Sequence, residues 1–113
     1  MKDKILGNVM TEEFEGFKVS MLPVPRLQLV KLMAKYDLSE PSDVGALGAD
    51  LAPLCITDIE GPIKVSYTNL KIGADRRRVV KEEVFEQLGF EPLAKMLGWV
   101  VTQHFLGEDE KGN

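Results

Sequence analysis

The residues that most often carry chemistry are scarce in this chain. Of its 113 residues one is cysteine, one is histidine and one is tryptophan. The lone Cys55 excludes a disulfide framework within the chain and any cysteine-rich metal site. The lone His104 argues against histidine metal clusters and against His–Cys catalysis. No apolar run approaches the ~18 residues that a membrane span needs. Asp3, Lys4, Gly7 and Asn8 interrupt the first residues, so no secretory leader is expected. The expected setting is the cytoplasm, the host's if the source is viral. Positive charge is also short. Fourteen basic residues face 18 acidic ones, for a net charge of −4. Phosphate attraction needs clustered positive charge, so nucleic acid is not the default partner.

What is present suits one folded domain. The length is that of a single domain with its own core. The hydrophobic fraction of 44% and charged fraction of 28% match an ordinary soluble globular protein. Acidic charge gathers in the middle, where Lys64 and Lys71 face Glu40, Asp43, Asp50, Asp58, Glu60 and Asp75. Residues 108–113 offer nothing apolar to bury and are expected to form a disordered charged tail on a domain of residues 1–107. Ile5, Leu6, Val9 and Met10 fit either a short amphipathic helix or an edge strand.

Phe17, Val19 and Met21 alternate with Lys18 and Ser20, the period of a half-buried strand, which Phe14 extends and Pro23 and Pro25 end. Pro25 opens a helix carrying Leu27, Val30, Met33 and Ala34, with Tyr36 on its flank, as far as Asp37. Residues 42–54 fit a short, weak helix striped by Val44, Leu47, Leu51 and Leu54. It is capped by Ser42, loosened by Gly45 and Gly48, and stopped before Pro53; the alternative for the segment is a mobile connection. Cys55 to Ile59, the turn signal Glu60-Gly61-Pro62, and the alternation of Ile63, Val65 and Tyr67 predict a β-hairpin over residues 54–68. Asn69 to Gly73 reads as a loop. Asp75 then caps a helix striped by Val80, Val84 and Leu88, which Gly89 ends and on which Phe90 packs back against Phe85. Pro92 opens a last helix with a wide apolar face around Trp99. The expected class is α+β: strand, helix, β-hairpin, then a C-terminal helical hairpin.

Few residues suggest a site. His104, near a helix end where the dipole favours it, has Val100, Val101 and Gly107 one turn away and no carboxylate. Cys55 sits between Leu54 and Ile56, which reads as a buried thiol. Asp58 and Glu60 share a strand face but lack a third ligand, so they read as a solvated acidic loop. An enzyme would have to draw Asp58, Glu60 and His104 into one pocket, which nothing in the pattern suggests. Arg76-Arg77-Arg78 is the one basic run, followed by Glu82, Glu83 and Glu86, and it is the basic-patch candidate. Phe85, Phe90, Leu93, Met96, Trp99 and Phe105 are many large apolar groups for one helix pair. Any that the sheet leaves uncovered are interface candidates.

In layout the chain resembles the tail assembly chaperones of long-tailed bacteriophages. An early strand and turn, Phe17-Lys18-Val19-Ser20-Met21-Leu22-Pro23, lead into a helix from Leu27 to Tyr36. An acidic turn follows in Asp58-Ile59-Glu60-Gly61, and a helical region ends in Glu108-Asp109-Glu110-Lys111-Gly112-Asn113. The Arg76–Arg78 run lies outside the match. The resemblance implies a non-enzymatic assembly factor without a cofactor. Such a factor binds a long helical tape-measure protein, recruits tail-tube subunits and self-associates into oligomers. The alternative from another class is a small nucleic-acid-binding regulator. It would contact backbone through Arg76, Arg77 and Arg78 and use the C-terminal helix pair in the manner of a helix-turn-helix.

Overall fold

A computed structural model describes the backbone of residues 9–112 and the side chains of residues 9–105. The expectation for Ile5 and Leu6 falls outside the described residues, whereas the backbone of the expected tail is helical as far as Gly112. The elements run β1 (Met10–Phe14), β2 (Phe17–Met21), α1 (Arg26–Met33), α2 (Pro41–Cys55), β3 (Ile56–Glu60), β4 (Tyr67–Ile72) and β5 (Asp75–Val80). A 3-10 turn (Glu82–Gln87) and the long α3 (Phe90–Gly112) complete them. The fold is α+β with antiparallel sheets, as expected, and strand, helix, β-hairpin and helical end follow in the expected order.

β1 and β2 form a hairpin around Glu15-Gly16, closed by the pair Phe14 and Phe17. Both turn residues have positive φ, 50° and 93°, as a two-residue type I′ turn requires. Phe14 therefore does not lengthen the second strand but belongs to its partner, and Met10 lies in a strand rather than a helix. β2 is the centre of a three-stranded sheet, with β3 antiparallel on its other side. The register shifts between Ser20 and Met21, where Thr57 is the extra residue. Val19, Met21, Ile56 and Ile59 are at most 2% exposed and form the inner face.

Two helices cover that face. α2 is longer and firmer than its glycines suggested. Pro41 starts it, Pro53 lies inside it, and it runs into β3 with no intervening loop. Pro53 cannot donate to the Ala49 carbonyl, and the helix continues only two residues beyond it, to Cys55. Glu40 rather than Ser42 holds the cap position, and Leu47 and Leu51 are wholly buried. A Cβ on Gly48 would lie 2.9 Å from the Leu97 carbonyl oxygen and 3.2 Å from Val101. The second glycine thus sets how closely α2 and α3 approach, which outweighs its propensity cost.

The β-hairpin is displaced from residues 54–68. β3 pairs with β2, and Gly61-Pro62 sends the chain away instead of folding it back. The connecting segment is held by Gln87, which accepts from the Lys64 N–H at 3.0 Å and donates to its carbonyl at 2.7 Å. The hairpin is β4–β5, so the expected loop Asn69–Gly73 is strand. Gly73-Ala74 makes its turn, Gly73 at φ 62° as a type II′ turn favours. Arg76–Arg78 therefore lie in a strand, not at a helix start. The expected first arm of the helical hairpin is β5 plus the 3-10 turn. Val80, Val84 and Leu88 are all buried, as a helical stripe would be, but their shared burial comes from a strand end and a tight turn. Gly89 is not left-handed, and Phe90, 86% exposed, does not pack on Phe85.

α1 also turns differently from its expected stripe. Leu29 is buried, with Leu32 and Met33 packed on the core, while Leu27 and Val30 are 62% and 54% exposed. Lys95 on α3 binds Glu15 at the first hairpin's tip at 2.7 Å, and Trp99 meets Phe14 with ring centres 5.4 Å apart. The radius of gyration, 13.7 Å, is that of a compact chain this long.

Gly48→Val should lower stability by about 1–3 kcal/mol, because the added atoms push α3 off α2. Gly45→Ala, with open space around its Cβ position, should leave stability equal or raise it. Thermal melting of the two variants checks this.

Candidate functional site

The three arginines of the basic run do three different things. Arg77 is turned inward, its side chain 5% exposed. Its Nη1 donates to the Leu22 carbonyl at 2.6 Å and the Leu54 carbonyl at 3.1 Å. Its Nη2 donates to the Pro23 carbonyl at 2.9 Å, and Nε donates to Asp75 Oδ2 at 2.7 Å. Nη2 also meets that carboxylate at 2.6 Å. Each of the three guanidinium nitrogens thus donates, in four hydrogen bonds and one ion pair. One acceptor, Leu54, is among the last carbonyls of α2, which have no partner inside the helix and carry its negative dipole end.

The same crossing segment is held from the other side by His104. Its Nε2 accepts from the Val24 N–H at 3.1 Å, and Nδ1 lies 2.8 Å from the Val100 carbonyl one turn back. A ring that accepts at Nε2 and faces a carbonyl at Nδ1 is the neutral Nδ1–H tautomer. Burial pushes its pKa below 6.5; the Val100 bond opposes this, and the Arg77 charge adds to it. His104 is a structural pin on Val24, far from the role of a base in an open pocket.

Cys55 is wholly buried, and burial raises its thiol pKa despite the pull of Arg77. It is an unreactive core thiol. Asp58 accepts from the Tyr67 hydroxyl at 2.5 Å and from the Ile59 N–H at 3.0 Å, so its carboxylate joins β3 to β4. That bond raises the pKa of Tyr67. Among the described residues no group of three His, Cys, Asp or Glu side chains is placed to hold a metal, and no helix is long and apolar enough to cross a membrane.

The six apolar interface candidates divide. Met96 is wholly buried and Phe85 is 7% exposed. Leu93, Trp99 and Phe105 are half-buried against the core, and Phe90 alone is fully on the surface. Two exposed surfaces remain. One is the outer side of α1 with Leu27 and Val30, whose i, i+3 spacing is visible in the sequence but reads there as the buried stripe. The other is the outer side of β4–β5, where Arg76 and Arg78 join Lys71. Lys71 had no signal as long as its segment read as a loop. No protein-family model matches the chain, and neither a curated protein nor a solved structure does.

Arg77→Met should cost about 3–5 kcal/mol, since it leaves the Asp75 carboxylate and three carbonyls without their donor. Arg76→Met should stay within about 0.5 kcal/mol. Urea unfolding of both variants measures the contrast. His104 adds a pH dependence. Folding holds the ring neutral, and unfolding frees it to titrate near 6.5. The unfolded chain therefore takes the proton first as pH falls, and stability declines from about pH 6.5 downward toward the folded value. In His104→Gln this decline should flatten, read as Tm against pH.

Proposed function

We propose that this chain is a non-enzymatic protein-binding assembly factor, of the kind the phage tail assembly chaperones represent, and that the outer side of α1 meets its partners. The observation that carries this reading is Leu27 and Val30, one turn apart and both more than half exposed, on a helix whose opposite side is already committed to the core. A helix apolar on both sides holds more apolar surface than its own domain covers. Phe90, exposed at the start of α3, adds to this surplus. The partner in this reading is helical, laid against α1 by its apolar stripe, as a long tape-measure-type protein would offer, and copies of the chain associate through the same side.

The nucleic-acid alternative has less support. Arg77 is withdrawn from the surface, and a tight turn followed by one long helix replaces the helix pair that was to enter a groove.

Light scattering over a concentration series should find oligomers of the wild-type chain and monomers of Leu27→Asp/Val30→Asp. Both substitutions sit on exposed positions, so melting of the variant should stay close to wild type. A wild-type chain that stays monomeric, and that on co-expression fails to keep a tape-measure-type helical protein in solution, would overturn the reading.

A further inference from the structure

The second exposed surface has a chemistry of its own. In the β4–β5 register Lys71 lies opposite Arg76 and Asn69 opposite Arg78. All four are exposed, and with Leu70 and Arg77 they line an open groove of about 560 Å³. Among the described residues no ion pair engages Lys71, Arg76 or Arg78. Arg78 instead lies 4.1 Å above the centre of the Tyr67 ring. This is a concentrated positive face on a chain of net charge −4. It is also held from behind, because Arg77, pointing the other way from the same strand, bonds β5 to the ends of β2 and α2.

We infer that this face binds an extended acidic peptide segment of a partner protein. Arg76 and Arg78 stand two residues apart on one strand, about 7 Å along it, and Lys71 stands across from Arg76 at about 5 Å. Carboxylates at alternate positions of an extended peptide repeat at the same ~7 Å, so two of them meet the two arginines and the nearer one also reaches Lys71. The size of the face selects a short acidic segment over a polyanion. It holds three cations outside any ion pair among the described residues, and Tyr67, on which Arg78 stacks, is bonded to the Asp58 carboxylate and feels the charge of Glu60. A nucleic-acid backbone running past would leave the cations and meet carboxylates, whereas a peptide with three or four acidic side chains ends within the groove. This inference goes beyond the reading above. It concerns another face, it names the partner's chemistry, and its test does not involve α1.

The test uses the full chain and a labelled eight-residue peptide of alternating Glu and Ser, followed by fluorescence anisotropy at low and at raised salt. The probes for comparison are the Gln-Ser peptide and a short oligothymidylate of equal charge. Saturable binding of the acidic peptide is expected, weaker at raised salt and absent for the neutral peptide. Arg76→Gln/Arg78→Gln should weaken it by about tenfold, with melting unchanged; if that pair does not fold, Lys71→Gln serves in its place with a smaller loss in the same direction. Three results would each overturn the inference. They are no saturable binding at low salt, binding indifferent to these substitutions, and oligothymidylate bound more tightly than the peptide.

Discussion

The guanidinium of Arg77 is the constraint on which the rest of the structure depends. It reaches from one strand of the small hairpin to the end of β2, the end of α2 and its own neighbour Asp75, and all three of its nitrogens donate in doing so. Two features make the arrangement stable where an isolated buried cation would not be. Asp75 supplies a countercharge two residues away, and the backbone carbonyls supply the acceptors that water would otherwise provide. A lysine has too few donors, and the wrong shape, to do the same.

Its acceptors explain why Leu22–Pro25 can cross the interior without sheet or helix bonding. The Leu22 N–H donates to the Cys55 carbonyl, and the Leu22 and Pro23 carbonyls accept from Arg77. Pro23 has no N–H to satisfy, the Val24 N–H donates to His104, and the Pro25 carbonyl accepts the first bond of α1. A segment that looks in the sequence like a plain strand stop is the point where both sheets and all three helices are joined. The chain's one histidine, one buried thiol and one buried arginine gather around it. These three groups are thus spent on architecture, and an apolar helix side and a positive hairpin face stay exposed.

Much of the fold was legible in the order of residues. The alternation of Phe17, Val19 and Met21 has one reading, because no helix buries every second residue. Pro25 was legible as a helix start, since its fixed φ and missing N–H suit a first turn, whereas the cap preference of Ser42 hides the same signal in Pro41, which starts α2. The errors came where one pattern served two structures. Val80, Val84 and Leu88 recur at helical spacing, yet a strand entering the core is buried on both sides, so Val79 and Val80 are both covered and the period carries no information there. Gly61-Pro62 marks a turn, but a turn signal does not name the strand to which the chain returns. Of the candidate residues, the burial of Cys55 followed from its apolar neighbours, whereas Met96, an interface candidate, is wholly buried. The division of labour among Arg76, Arg77 and Arg78 was not legible, because three adjacent arginines are identical until a strand assigns them to opposite faces.

By itself the sequence determined the α+β class, the strand Phe17–Met21, the helix after Pro25 and, with a single cysteine, the impossibility of a disulfide within the chain. These follow from residue chemistry and from periodicities read over a few neighbours. Only the tertiary structure decided that β3 joins β2, that the second hairpin lies at residues 67–80, that Leu27 and Val30 face outward, and that Arg77 faces inward. Each of these depends on which distant groups compete for the same surface or the same hydrogen bond. Arg77 prefers water to almost any interior, and it is buried because carbonyls from Leu22, Pro23 and Leu54, each more than 20 residues away, converge on one point.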